Sequence, residues 1–193
     1  MIIDLEEVKE ELRKRLSEKR YNHSLGTMKK AKELANIFGE DKEKAEFAGL
    51  IHDIAKEMTK EEIEKFLENH DIEFDEIEKE NKSLLHSKLG SIIAKEEFGA
   101  DEKIQNAIAY HTTGHRKMDT FAKIIYVADK IEENRNYDRI DELRELAMKN
   151  LDEAILFILD FTIQKNITKG TLIHPDTIDL RNDLILKNTK KCI

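Results

Sequence analysis

Apolar residues recur at three- and four-residue intervals along most of the chain, and strand-like alternation is absent over any useful length. The pattern predicts an all-helical protein. Leu5, Val8, Leu12 and Leu16 make a first stripe behind Asp4, a suitable N-cap. Ala31, Leu34, Ala35 and Phe38 make a second, closed by Gly39. Asp41 opens a third helix, expected to run through Ile54. It is apolar on most sides (Ala45, Phe47, Ala48, Leu50, Ile51, Ile54), which marks it as central. Thr59 and Glu62 frame a capping box before Ile63, Phe66 and Leu67. Further helices are expected near 83–98, 101–112, 119–134, 138–149 and 151–167, and Pro175 suits the first turn of a last one. Residues 71–82 are acidic and weakly periodic and receive no assignment. The expectation is an all-α fold of about eight to ten helices, a single domain over 1–193 with an N-terminal helix in 1–18.

Composition narrows the classes. With 39% hydrophobic and 38% charged residues, 193 residues suit a globular domain with a sizeable core. The longest apolar run, Ala154 to Leu159, is far short of the roughly 18 residues of a spanning helix. The N-terminus turns acidic at once and has no basic stretch, so no secretory signal is expected, no membrane partner either, and the compartment reads as cytoplasmic. A single cysteine, Cys192, rules out an internal disulfide framework and a cysteine-rich metal site. The net charge of −8 and the lack of a basic stripe argue against nucleic acid as a partner.

Candidate chemistry lies where ionisable residues share faces with apolar ones. His86 shares a face with Leu89, Gly90 and Ile93, His111 with Ile104, Ala107 and Ile108, and His52 with Ala45, Ala48 and Gly49. Asp129 follows Ile125 and Phe121 at helical spacing, and His23 lies about three turns before Leu34. A lone inward histidine is usually a satisfied core residue. Five such groups on five helices are satisfied more economically by one shared cation, since neutral imidazole and carboxylate are its usual ligands. Asp53 adjoins His52, and an irregular helix end there would let both converge. The set His23, His52, Asp53, His86, His111 and Asp129 holds no thiolate and suits iron, manganese, cobalt or zinc. Two metals could share it if Asp53 bridged them, and would then activate a bridging hydroxide for attack on phosphorus.

At these residues the chain resembles the HD superfamily of metal-dependent phosphohydrolases. The setting carries the resemblance: His23, the run from Ala45 to Lys56 around His52-Asp53, then His86, His111 and Asp129. More narrowly it resembles the YqeK family, bacterial HD-domain symmetrical dinucleoside tetraphosphatases, through Ala109 to Gly114 and Ile124 to Arg135. The resemblance spans about Arg20 to Asn182. It implies a dinuclear centre with iron as the favoured metal, and cleavage of diadenosine tetraphosphate into two ADP. His23, His52, Asp53 and Asp129 would hold one metal, and His86 and His111 the second, with Asp53 bridging. His115 stands where the family carries arginine, with Arg116 next to it.

Asp53 and Lys56 are the expected catalytic residues. Arg20, His23, Lys56, Thr112 and Arg135 are expected at the substrate, with the last segment (residues 170–193) on the nucleotide side through His174, Thr177, Arg181 and Asn182. His70 reads as solvated, and Tyr110 and Tyr126 as core. A homodimer is expected from the family. Two rival readings are an HD phosphohydrolase on another nucleotide, and an idle metal or nucleotide sensor on the same scaffold.

Overall fold

The computed structural model describes residues 4–190, and among these every regular element is helical. The order is α1 (Leu5–Arg15), α2 (Glu18–Phe38), α3 (Lys42–Ile51), α4 (Lys60–Leu67), α5 (Glu76–Glu80), α6 (Leu85–Phe98), α7 (Glu102–Tyr110), α8 (Thr120–Ile131), α9 (Ile140–Ala147), α10 (Leu151–Lys169) and α11 (Pro175–Lys190), with a 3-10 turn at Lys82–Leu84. Met1 to Ile3 and Cys192 lie outside the described residues.

Local chemistry sets the ends. Asp4, Asp41, Asp101 and Asp119 each accept a backbone N–H of the first turn behind them, and Thr59 and Glu62 form a full capping box. Gly39, Gly99 and Gly170 close α2, α6 and α10 in the left-handed region.

The helix count and one helix end differ from expectation. The described helices number eleven rather than eight to ten. The extra one, α5, falls in the unassigned acidic stretch. It is nucleated by an Asp75–Glu78 capping box rather than by an apolar stripe, which is why periodicity missed it. The second helix begins at Glu18, behind a Ser17 cap, well before its apolar stripe starts. The third helix stops at Ile51 instead of Ile54, and residues 52–57 form turns.

The core is built around α2, α3 and α8. Helix α2 packs chiefly on α3 and α8, and α6 and α7 stack against this group. Helices α2 and α3 cross closely because Gly49 has no side chain: a Cβ there would stand 2.9 Å from the Thr27 carbonyl oxygen. Phe47, Leu50 and Ile51 of α3 are fully buried, as are Phe121, Ile124, Ile125 and Val127 of α8. Each such side chain stabilises the fold by roughly 1.5–3 kcal/mol. Tyr126 is buried with them, as expected, whereas Tyr110 is half-buried and stacks on His115. Helix α10 packs on α8, α9 and α11, and Leu180 and Leu184 anchor α11. Among the described residues no helix is long and apolar enough to cross a membrane.

Candidate metal centre

The six proposed ligands come from five segments and meet in one buried place, none of them more than 6% exposed. His23 projects from α2, His52 caps α3, Asp53 follows in the turn, His86 lies in the first turn of α6, His111 caps α7 and Asp129 sits in the last turn of α8. Four of these positions are helix ends, where the backbone can aim neighbouring side chains together. At His52-Asp53 the regular ladder gives way to three-residue bonds. Ile54 N–H donates to the Ile51 carbonyl at 3.0 Å and Lys56 N–H to that of Asp53 at 2.9 Å. This brings two adjacent side chains, which a regular helix would splay by about 100°, onto one site.

Each histidine has its Nδ1 tied down. His52 donates to Gly49 O at 2.8 Å, His86 to Ser83 O at 2.7 Å and His111 to Ile108 O at 2.6 Å, while His23 Nδ1 lies 3.0 Å from Glu132 Oε1. Every Nε2 is thereby left to face inward. His23 Nε2 and His52 Nε2 are 3.2 Å apart, and His86 Nε2 and His111 Nε2 are 3.0 Å apart.

Asp53 lies between these pairs and gives one oxygen to each. Its Oδ2 is 3.4 Å from His52 Nε2 and 3.6 Å from His23 Nε2. Its Oδ1 is 3.1 Å from His86 Nε2 and 3.4 Å from His111 Nε2. Asp129 Oδ1 joins the first group, 2.9 Å from His23 Nε2 and 3.8 Å from His52 Nε2. Lone pairs crowded this closely in a buried space fit cations, which satisfy all of them at once.

The protonation states of four of the six residues agree. Burial alone would raise the Asp53 carboxyl, but His52, His111 and His86 outweigh it and hold it well below the usual carboxylate range. Asp129 is held low in the same way, against burial, by Lys130, His23 and Arg135. Burial pushes His111 down to about 4 and His86 down as well, so both rings are neutral at pH 7. Ionised carboxylates and neutral imidazoles are the forms a metal takes. His23 goes the other way: burial opposes its proton, but hydrogen bonds to Asp129 and Glu132 win.

A cationic rim surrounds the cluster. Arg20 Nη1 lies 2.7 Å from Asp53 Oδ2, and Arg135 Nη2 lies 2.5 Å from Asp129 Oδ1. Lys56 Nζ lies 3.3 Å from His86, and burial lowers its pKa. Thr112 Oγ1 is 3.2 Å from both His86 Nε2 and His111 Nε2.

The C-terminal candidates are more scattered. Thr177 is buried and donates to Thr113 O at 2.8 Å, one residue from Thr112. His174 pairs with Asp75 at 2.8 Å, Arg181 pairs with Asp160 of α10, and Asn182 is exposed. His70 is less solvated than expected, stacked on Phe66 and paired with Glu96.

Sequence reasoning passed over two residues. Glu132, 1% exposed, holds His23, and Lys130 Nζ lies 2.5 Å from Asp129 Oδ2. The signal for Glu132 was present: it stands one turn after Asp129, opposite Gly26. A Cβ at Gly26 would fall 2.3 Å from Glu132 Oε2, so the glycine reserves the carboxylate's space.

Comparison with known proteins gives the same picture. The HD domain family matches residues 20–134. The symmetrical bis(5'-nucleosyl)-tetraphosphatase of Halalkalibacterium halodurans is 38% identical over 89% of this chain and 92% of its own. The protein of the same description from Bacillus subtilis is 37% identical over 90% and 94%. A crystal structure from Clostridium acetobutylicum, described as a predicted HD superfamily hydrolase involved in NAD metabolism, superposes with a TM-score of 0.91 at 42% identity, covering 97% of this chain and 100% of that one. The chain therefore belongs to the HD domain family, within its branch of symmetrical bis(5'-nucleosyl)-tetraphosphatases.

Proposed function

We propose that this chain is a metal-dependent hydrolase that cleaves diadenosine tetraphosphate symmetrically into two ADP. The observation that carries the reading is the division of Asp53, whose two oxygens face separate histidine pairs. His23, His52, Asp53 and Asp129 would hold one cation, and His86, His111 and Asp53 the other. Iron is the proposed metal, with manganese, cobalt and zinc compatible with the same donors. When bound, such a pair supplies activated water and positive charge against the phosphoryl oxygens.

The chain's own residues do the rest. Arg20, Lys56 and Arg135 sit at the edge of the cluster, placed to take phosphate oxygens and to offset charge on the departing diphosphate. Thr112 adds a hydroxyl beside His86 and His111. Burial of the cluster excludes bulk water and strengthens each of these contacts.

Product analysis tests the reading. Protein loaded anaerobically with iron, and separately with manganese, is incubated with diadenosine tetraphosphate and the products are separated by chromatography. ADP as sole product is expected. AMP plus ATP would mean asymmetric cleavage, and no turnover with the metal sites filled would sink the proposal. NAD belongs in the same panel, because the Clostridium relative is described as involved in NAD metabolism.

A further inference from the structure

Helix α8 carries Asp129 in its last turn, and the carbonyls at its end lack partners within the helix. Side chains from the segment that follows take them up in order. Arg135 Nε donates to Asp129 O at 2.8 Å, the Tyr137 hydroxyl to Lys130 O at 2.7 Å and Arg144 Nε to Ile131 O at 3.1 Å. Arg144 reaches further. Its Nη2 also donates to Glu132 O and to Arg135 O, each at 3.0 Å. One guanidinium on α9 therefore holds both ends of the turn 132–135.

The two faces of that turn do different things. Its backbone oxygens meet Arg144, and its side chains meet the cluster. Glu132 Oε1 lies 3.0 Å from His23 Nδ1, and Arg135 Nη2 lies 2.5 Å from Asp129 Oδ1 and 3.4 Å from His23 Nε2. Asn134 closes the turn on Glu132 Oε2, donating its backbone N–H at 2.7 Å and its side-chain amide at 2.9 Å.

We propose that Arg144 is a positioning residue for the metal cluster: from outside the site it fixes the turn 132–135, and through that turn it sets Glu132 against His23. The inference rests on the two-cation reading above and adds a residue whose hydrogen bonds go to none of the six proposed ligands.

Three observations support it. A planar fork of N–H groups can serve three carbonyls at once, whereas an ammonium offers its protons from a single point. A cation at the C-terminus of α8 is also favoured by the helix dipole. The acidic neighbour does not account for the placement. Asp141 lies 3.2 Å from Nη1, but its side chain is 89% exposed, so that pair is a surface contact of little weight.

Arg144→Lys tests the assignment, because it keeps the charge at the end of α8 and removes the fork. Arg144→Gln is read in its place should the lysine variant not fold, and Asp141→Ala is the control. Titration with manganese should show affinity about tenfold weaker in Arg144→Lys, the lower end of the range for residues behind a metal ligand. Asp141→Ala should match the wild type. A loss from general loosening would multiply with that of Glu132→Gln, whereas a loss passed through Glu132 does not. The double variant Arg144→Lys with Glu132→Gln should therefore bind manganese about as Glu132→Gln alone does. The His23 ring gives a readout that needs no metal. Its nitrogen resonances, identified by their change in Glu132→Gln, should move in Arg144→Lys and stay in place in Asp141→Ala. Unchanged affinity, losses that multiply or an unmoved ring signal would each overturn the proposal. If the wild type binds no manganese, the two-cation reading falls by itself. The ring signal then decides alone: a shift in Arg144→Lys upholds the role of Arg144, and an unchanged signal ends it.

Discussion

Glu132 Oε1 lies 3.0 Å from His23 Nδ1, on the side of the ring turned away from Asp53 and Asp129. The contact fixes which nitrogen faces the cluster and makes that nitrogen a better donor. Outer partners of this kind are typically worth 10–100-fold in metal affinity or activity. Glu132→Gln should therefore weaken metal binding by about that factor while the far-ultraviolet spectrum stays helical. Metal titration checks it, and an affinity equal to wild type would remove Glu132 from the site.

Gly26→Ala approaches the same contact from the opposite helix. The added Cβ cannot share space with Glu132 Oε2, so the carboxylate or helix α2 must move. The expected cost is about 1–3 kcal/mol of stability, together with the weakened metal binding of Glu132→Gln. Combining Gly26→Ala with Glu132→Ala should recover part of the stability but none of the affinity. Denaturant melts and metal titration on the three proteins separate the two effects.

Asp53→Ala removes the one side chain that faces both histidine pairs. Metal content should fall by at least one ion per chain, and kcat should drop by ~10³ or more. Elemental analysis and single-turnover assays give the two readouts. Full metal with normal turnover would defeat the two-cation arrangement.

Lys56 makes the complementary case. It touches His86 but is not in the proposed ligand set. Lys56→Ala should leave metal content unchanged and lower kcat/KM by ~10²-fold, as loss of a charge facing the transition state does. Lys56→Arg should restore part of that, because the guanidinium keeps the charge and changes its reach. A fall in metal content in Lys56→Ala would place it instead among the groups that hold the cluster together.

Chelation should show in stability as well as activity. A ligand held only by the folded state at about 100 times its Kd adds roughly 2.7 kcal/mol. For a chain of this size that moves Tm by about 5–10 °C. Calorimetry with and without chelator measures it, and coincident melts would mean that the cluster gains little from cations.

Much of this arrangement was legible beforehand. The stripes placed the long helices, and the inward histidines singled out the six residues that the fold gathers. What stayed hidden was mostly backbone. The carbonyls of Gly49, Ser83 and Ile108 that orient three of the rings have no signature in residue type. Helix α5 went unseen because a capping box formed it without an apolar face. The pairing of Arg181 with Asp160 depends on how α11 lies along α10, which no local pattern specifies.

The end of α3 at His52 has a further consequence for how this protein can be altered. Residues 52–57 give up four-residue backbone bonds for shorter ones, and only that geometry aims His52 and Asp53 at the same point. Substitutions that favour regular helix here would add local stability and, by straightening the turn, pull the dipeptide apart. Selection for heat resistance and selection for turnover thus oppose each other over these six positions. Variants evolved for stability alone should lose activity first by acquiring a longer, more regular third helix.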